Sequence, residues 1–587
     1  MTKVKSLFFV IILLFLGKMS FTQGQNVSFP KNNAKMEQML QFINSWYVDT
    51  VNFNKLVETG IVEMLKELDP HSVYIPPKDV AQMNEPLQGN FDGIGVTFQL
   101  IKDTINVLEV IIDGPSEKVG LLPGDKIVKV DTFVATGKNI TNKWVMDHLR
   151  GQRGTKVKVL VKRGRNPEGL EFNIIRGKIP INSINVFFML DNETGYIRLE
   201  RFAQTTHDEF RTAITKLKAR GLKNLIFDLR GNGGGYLDQA FQIADEFIKD
   251  NRLIVFTNNH RGERQELHAH LTGTFEEGKL IILVDENSAS ASEIVSGAVQ
   301  DWDRGLIIGR RTFGKGLVQR PFSLVDKAQV RLTTAHYYTP TGRCIQKPYN
   351  DGLDSYFNDL NNRYRHGEFY SADSIKFPDS LRYYTPNHRV VYGGGGIMPD
   401  IFIPYDTSKY SSLYGELMRK GIMNAFALNY LDMHRADLKL KYPTIEEYRK
   451  YFQISDDLYD DLLQYAKKEG VKDTVPLMLA DRLSIFAKDK KRVIDSLYQN
   501  IEALEHPELL EQIMLEHLRA SYRESVRLRN ESKAPQFIKE YIKFEIARTL
   551  YSYGEAYRIL LEDDETLQHA YTLMRDNKAF KKMKVDH

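Results

Sequence analysis

The forty residues from Leu280 to Gln319, LIILVDENSASASEIVSGAVQDWDRGLIIGRRTFGKGLVQ, restrict fold and chemistry more than any other part of this chain. Leu280–Asp285 is apolar and β-branched, which predicts a short buried strand. Asn287–Ser292 is a serine-rich loop, and from Glu293 the spacing of Ile294, Val295, Ala298, Val299 and Trp302 is helical. Ser290 therefore falls where a loop becomes a helix N-terminus. Free N–H groups of a first helical turn, with the positive end of the helix dipole, stabilise an oxyanion forming beside such a hydroxyl. A serine nucleophile also needs a base. The nearest candidate is Lys315, set between Gly314 and Gly316 after the apolar run Leu306–Ile308. It can act only when neutral, which requires burial to lower its pKa from about 10.4 to roughly 7 or 8, at a cost of about 4 kcal/mol. The flanking glycines let the backbone approach closely enough for that. A plainer reading exists for the same residues. Ser290 and Glu293 also spell a Ser-x-x-Glu capping box, and a lysine after a glycine is usually a solvated loop charge.

ENSASASEIVSGAVQD followed by GRRTFGKGLVQ resembles the active-site signature of the carboxyl-terminal processing peptidases, or tail-specific proteases, a family of Ser/Lys endopeptidases. The resemblance implies that Ser290, the middle serine, is the nucleophile and that Lys315, 25 positions later, is its base. It places Gln319 as the group that orients the dyad, and Asp301 at an acidic position grouped with the active residues. It runs from about Lys35 to Pro404. The implied architecture is multidomain α/β: a PDZ domain inserted before a crotonase-like α/β protease core, with helical N-terminal and C-terminal regions.

Along the chain, residues 1–22 read as a secretory signal. Lys3 and Lys5 precede the unbroken apolar run Leu7–Leu16, and Ser20-Phe21-Thr22 supplies a small-x-small pattern before Gln23. Ten apolar residues fall short of the about 20 that cross a bilayer. The expectation is an exported protein, periplasmic or associated with the cell envelope. Over 30–85, Met36, Met39, Leu40, Ile43, Trp46 and Tyr47, then Leu56, Ile61, Met64, Leu65 and Leu68, follow a helical period and predict core faces of short helices. Leu68-Asp69-Pro70-His71-Ser72 ends them, because proline cannot continue a helix. His71 reads as a capping or hydrogen-bonded structural histidine.

Residues 90–180 resemble a PDZ domain. Short strands at Val107–Ile112, Lys126–Val130 and Lys156–Val161 alternate with Gly/Pro turns such as Leu122-Pro123-Gly124-Asp125. Gly93, Ile94, Gly95 and Val96 fit the carboxylate-binding loop, in which consecutive N–H groups point at one anion and the following strand offers its edge to a peptide. The helix Thr141–Leu149 would form the other wall. The implied ligand is a protein or peptide with a free, apolar C-terminus.

The protease core is expected over 185–405. Gly195–Leu199 and Leu225–Leu229 read as strands, with His207–Arg220 as the helix between them. Asp228-Leu229-Arg230-Gly231-Asn232-Gly233-Gly234-Gly235 follows. As a phosphate loop this fails, because a G-x-G-x-x-G register from Gly231 meets Tyr236 and no Gly-Lys-Ser/Thr appears. The resemblance instead implies that Gly234 or Gly235 shares an oxyanion hole with Ala291. His207, His260, His268, His270 and His336 are the candidate bases of a conventional triad, and none sits in a motif that brings it to Ser290. His268 and His270 form no His-Glu-x-x-His pattern, and no metal or other cofactor is expected.

Gly393–Pro404 resembles the closing segment of the family core, and the polar stretch 350–389 reads as a surface insertion. Beyond it, 406–587 is helical: Thr444-x-x-Glu447 spells a capping box, and Phe537, Tyr541, Phe544 and Arg548 share a helix face. Dimerisation, adaptor docking and substrate capture all remain open for this region. The 80 basic and 76 acidic side chains nearly balance, which gives no footprint for nucleic acid. A single cysteine, Cys344, excludes an internal disulfide. The function these features imply is an exported serine endopeptidase that recognises protein C-termini. The competing class is a PDZ adaptor with a decayed protease core.

Overall fold

The structure, a computed structural model, describes residues 29–164, 168–270, 272–409, 411–471 and 533–582; the signal sequence read at 1–22 lies outside them. The chain divides into two compact units, Met1–Leu68 and Asp69–His587. In the first, Phe29–Trp46 and Phe53–Lys66 are helices, the second capped by the Asn52 side chain accepting from Lys55 N–H. The apolar stripe of the first helix was expected to be a core face, and it is not. None of its residues is buried, and Trp46 is 83% exposed. Only Leu65 of the second helix is buried.

In the second unit, a six-stranded sheet runs in the order Val186–Met189, Thr194–Arg198, Asn224–Asp228, Leu280–Val284, Leu306–Gly309, Ile401–Phe402. Its first pair is antiparallel and the rest are parallel. Every residue of Leu280–Val284 is buried, which explains its unbroken apolar run: a strand covered on both faces needs no polar alternation. One face packs Phe227 and Ile282 with Phe210, Ile243 and Val295 from the crossover helices Thr206–Lys218, Leu237–Asp245 and Ala291–Asp301. The other face packs Ile226, Ile281 and Ile308 against Leu567, Ala570 and Met574 of the C-terminal region. The loops at the carboxyl ends of Asn224–Asp228 and Leu280–Val284 carry Gly234 and Ser290, where open parallel sheets place their sites.

A second sheet is built on the long strand Gln329–Tyr338, which pairs with Leu317–Ser323, Leu253–Asn259 and Val73–Ile75. It brings the Asp69–Ser72 turn beside the lysine segment. The sheet of the region read as a PDZ domain runs Val96–Ile101, Thr104–Val110, Lys126–Val130, Lys156–Lys162, Leu170–Ile175. Its second strand ends at Val110, two residues earlier than expected, because Gly114 N–H turns back onto the Ile111 carbonyl. The wall helix Asn142–Leu149 is capped by Thr141.

The C-terminal region is helical throughout its described residues, and the Thr444/Glu447 capping box forms as read. Its helix Ile422–Lys441 ties the PDZ domain by polar contacts. Lys126 Nζ lies 3.1 Å from Asp432, and Arg435 donates to the Pro123 carbonyl at 2.8 Å. At the other end, Asp564 receives Arg230 through both carboxylate oxygens, at 2.8 and 3.0 Å.

Candidate active site

Ser290 is the N-cap of the helix Ala291–Asp301, with φ 56° and ψ −110°. A non-glycine residue there stores of the order of 1–3 kcal/mol and needs its surroundings to hold it. Glu293 does much of that holding. Its carboxylate is fully buried, and each oxygen accepts two hydrogen bonds. Oε2 takes Ser290 N–H (2.8 Å) and Lys315 N–H (2.9 Å), while Oε1 takes Gly314 N–H (2.7 Å) and the Thr312 hydroxyl (2.6 Å). Burial pushes the Glu293 carboxyl up, and the four donors pull it back. With every acceptor position facing a donor, the charged form is the one that fits. From the opposite side the buried Tyr337 hydroxyl lies 3.0 Å from the Ser290 carbonyl and 2.8 Å from that of Lys315. The capping box read from the sequence is thus half of a larger clamp on the Ser290 and Lys315 segments.

The Lys315 amine is largely enclosed. Burial pushes its pKa below the ordinary lysine value; Asp69 and Glu293 pull it back, and Arg331 pushes it further down. Its Nζ donates to Gln319 Oε1 at 3.0 Å, which leaves a neutral amine its lone pair. The register between Leu317–Ser323 and Gln329–Tyr338 shifts between Val318 and Gln319, a bulge of the kind that re-aims a side chain. Gln319 Nε2 in turn donates to the His71 carbonyl. His71 is hydrogen-bonded, as expected, with Nε2 2.7 Å from the Tyr356 hydroxyl. Burial, with Lys315 and Lys347 nearby and Asp69 opposing, lowers it to about 4.

On the facing wall, Gly234 packs against Ser290. A Cβ there would meet Ala289 O at 2.8 Å, Ser290 Cβ at 2.9 Å and Ala291 N at 3.0 Å, and its φ is +100°. Gly234 N–H is taken by Asn232 Oδ1 at 2.9 Å. Gly235 bridges Phe202 through its neighbours, the Gly234 carbonyl and Tyr236 N–H. Among the described residues, Ala291 N–H and Gly235 N–H have no protein acceptor on this wall. Gly234→Ala is expected to lower kcat on a fluorogenic peptide by about 10²-fold, the scale of an ångström-sized misplacement. Steady-state kinetics beside a melting curve would separate this from unfolding.

Other sequence candidates lie elsewhere. Asp301 is at the far end of the helix from Ser290, about 15 Å along its axis. There it is buried in an ion pair with Arg343 (2.6 Å) and accepts from Thr341, which makes it a bolt for the core rather than a member of the reacting group. His207 pairs with Glu246, His268 with Glu266, and His270 with Asp245. The insertion read at 350–389 is mostly exposed, and within it Tyr356 and Arg363 are buried, Arg363 against the loop that leads into Lys315. In the PDZ domain, Gly93 and Ile94 are buried, Gly95 has φ +80°, and Val96 opens the end strand of its sheet. Its free edge faces no other strand among the described residues. The clamp was hidden from the sequence: Glu293 looked like a cap, and nothing marked Tyr337.

Residues 193–354 match Peptidase family S41, residues 93–174 a PDZ domain, and residues 413–504 a family of unknown function. The carboxy-terminal-processing protease of Bartonella bacilliformis is 32% identical over 353 residues, 58% of this chain and 80% of that protein. A probable CtpA-like serine protease of Staphylococcus haemolyticus is 34% identical over 313 residues, 53% of this chain and 62% of the relative. Among solved structures, the photosystem II D1 C-terminal processing protease aligns with 63% of this chain and 86% of its own at 25% identity, with a TM-score of 0.34.

Proposed function

Given that the chain belongs to the carboxyl-terminal processing proteases of peptidase family S41, serine-type peptidases, and carries a PDZ domain, we propose that it is an exported endopeptidase working through a Ser290/Lys315 dyad. The observation that carries this reading is the shared oxygen of Glu293, on which the backbone N–H groups of Ser290 and Lys315 meet. Neutral Lys315 takes the Ser290 proton as Oγ attacks the peptide carbonyl. Ala291 N–H, with a glycine N–H of the 234–235 turn, receives the developing oxyanion. The lysine ammonium then protonates the leaving amine, and water releases the acyl-enzyme by the same proton path reversed. Gln319 keeps the amine pointed at the hydroxyl throughout.

The PDZ loop at Gly93–Val96 takes the carboxylate of an unfolded or trimmed chain, and its last apolar side chain enters the groove against Asn142–Leu149. An adaptor's chain end fits the same groove. The N-terminal signal sends the protein to the periplasm or cell envelope. Incubating the purified chain and Ser290→Ala with β-casein tests the reading. Cleavage by the parent and none by the variant is expected; equal inertness of both would favour the adaptor.

A further inference from the structure

The polar insertion after Asn350 is largely exposed, but two of its side chains reach in behind the Lys315 loop. Its helices Leu353–Phe357 and Asp359–Arg365 bury Tyr356 at 2% exposure and Arg363 at 4%. Arg363 donates to the carbonyls of Arg311 (2.6 Å) and Thr312 (3.0 Å), the loop that leads into Lys315. Glu368 accepts from both Arg311 and Arg363 at 2.7 Å, so one buried carboxylate bridges the two guanidinium groups. Tyr356 stands edge-on to Phe313, the residue two before Lys315, and Lys347 Nζ lies 4.2 Å from the Tyr356 ring centroid.

From the Tyr356 hydroxyl a continuous path leads to the amine. The hydroxyl meets His71 Nε2 at 2.7 Å, and Asp69 holds His71 N–H at 2.8 Å, so ring and backbone of His71 are both fixed. The His71 carbonyl can only accept, which obliges Gln319 to present Nε2 to it and Oε1 to Lys315. We propose that Tyr356 is a positioning residue of the active site, setting the Lys315 amine through His71 and Gln319. This inference rests on Lys315 being the base. The charged and titratable groups facing the amine are Asp69, Glu293, Arg331 and His71, and those facing His71 are Lys315, Asp69, Lys347 and Tyr356. When the Gln319 amide loosens, water reaches the amine and its charged form gains ground.

The test is Tyr356→Phe, which keeps the ring and removes only the oxygen. The readouts are kcat, KM and the pH midpoint for labelling of Ser290 by a fluorophosphonate. Expected are a kcat about tenfold lower, a KM within about twofold, and a midpoint moved upward, a small part of what a positioned base contributes. The same change made in a Gln319→Leu background should cost no further activity, because residues acting as one unit are not additive. Parent-like kcat and midpoint in Tyr356→Phe, or a full additional loss in the Gln319→Leu background, overturns the inference while leaving the dyad standing. Lys315→Ala run alongside distinguishes the two, since activity surviving in it overturns the dyad and this inference together.

Discussion

Replacing Lys315 by methionine is expected to cut kcat/KM on an unfolded protein by about 10³-fold or more, and at neutral pH to raise the melting temperature. The first effect follows from the proposed pairing of Ser290 with Lys315, since the members of a nucleophile–base unit fail together. The second follows from linkage. Burial lowers the folded pKa of Lys315 below its unfolded value, so the unfolded chain binds this proton more tightly than the folded one. The folded state therefore bears a cost that is full below the folded pKa and fades as pH rises through it toward the unfolded lysine value. Methionine, similar in length and uncharged, removes that cost. The gap in melting temperature between variant and parent should accordingly be widest at neutral pH and close at alkaline pH, while parent activity rises with pH through a midpoint below that of an ordinary lysine. Melting curves that coincide at every pH would contradict the account.

Glu293→Gln is the second large effect. The carboxylate accepts four hydrogen bonds, whereas an amide offers one oxygen and an NH2 that faces two donors. Two buried donors lose their acceptor, at roughly 1–3 kcal/mol each. Ser290, already in an uncommon backbone conformation, loses the group that pins it. We expect a fall of about 10²-fold or more in kcat, on the scale of a displaced reacting group, together with a melting temperature lower by several degrees. Thermal unfolding and fluorophosphonate labelling measure the two separately. A Glu293→Gln enzyme that labels at the parent rate would show the clamp to be dispensable.

Much of this site was legible because its parts are local. A β-branched run, a serine loop and helical spacing place Ser290 at a helix start, and the structure has it there. The Gly-Lys-Gly segment leads Lys315 into a buried place for the reason its glycines suggested. What the sequence conceals is long-range pairing. Glu293 satisfies a short-range rule so well that its bonds to residues 19 to 22 positions away leave no trace in the pattern. Tyr337 sits in a strand where an aromatic is expected anyway. Within the insertion, composition conceals two buried charges, since Arg363 and Glu368 look solvated but pair with each other out of water, Glu368 bridging to Arg311 as well. Asp301 kept its place in a familiar motif and still lies a whole helix from the chemistry. The N-terminal helices had the right period, and period alone does not say whether anything covers the apolar stripe.

The contact between Arg230 and Asp564 spans 334 positions, and it steadies the loop that leads into Gly234. While the nascent chain is on the ribosome, every residue of the catalytic motif is made long before that carboxylate emerges. The loop that leads into Gly234 therefore gains this brace last. A product of premature termination that ends after the protease core keeps Ser290 and Lys315, yet lacks the carboxylate that braces the glycine turn.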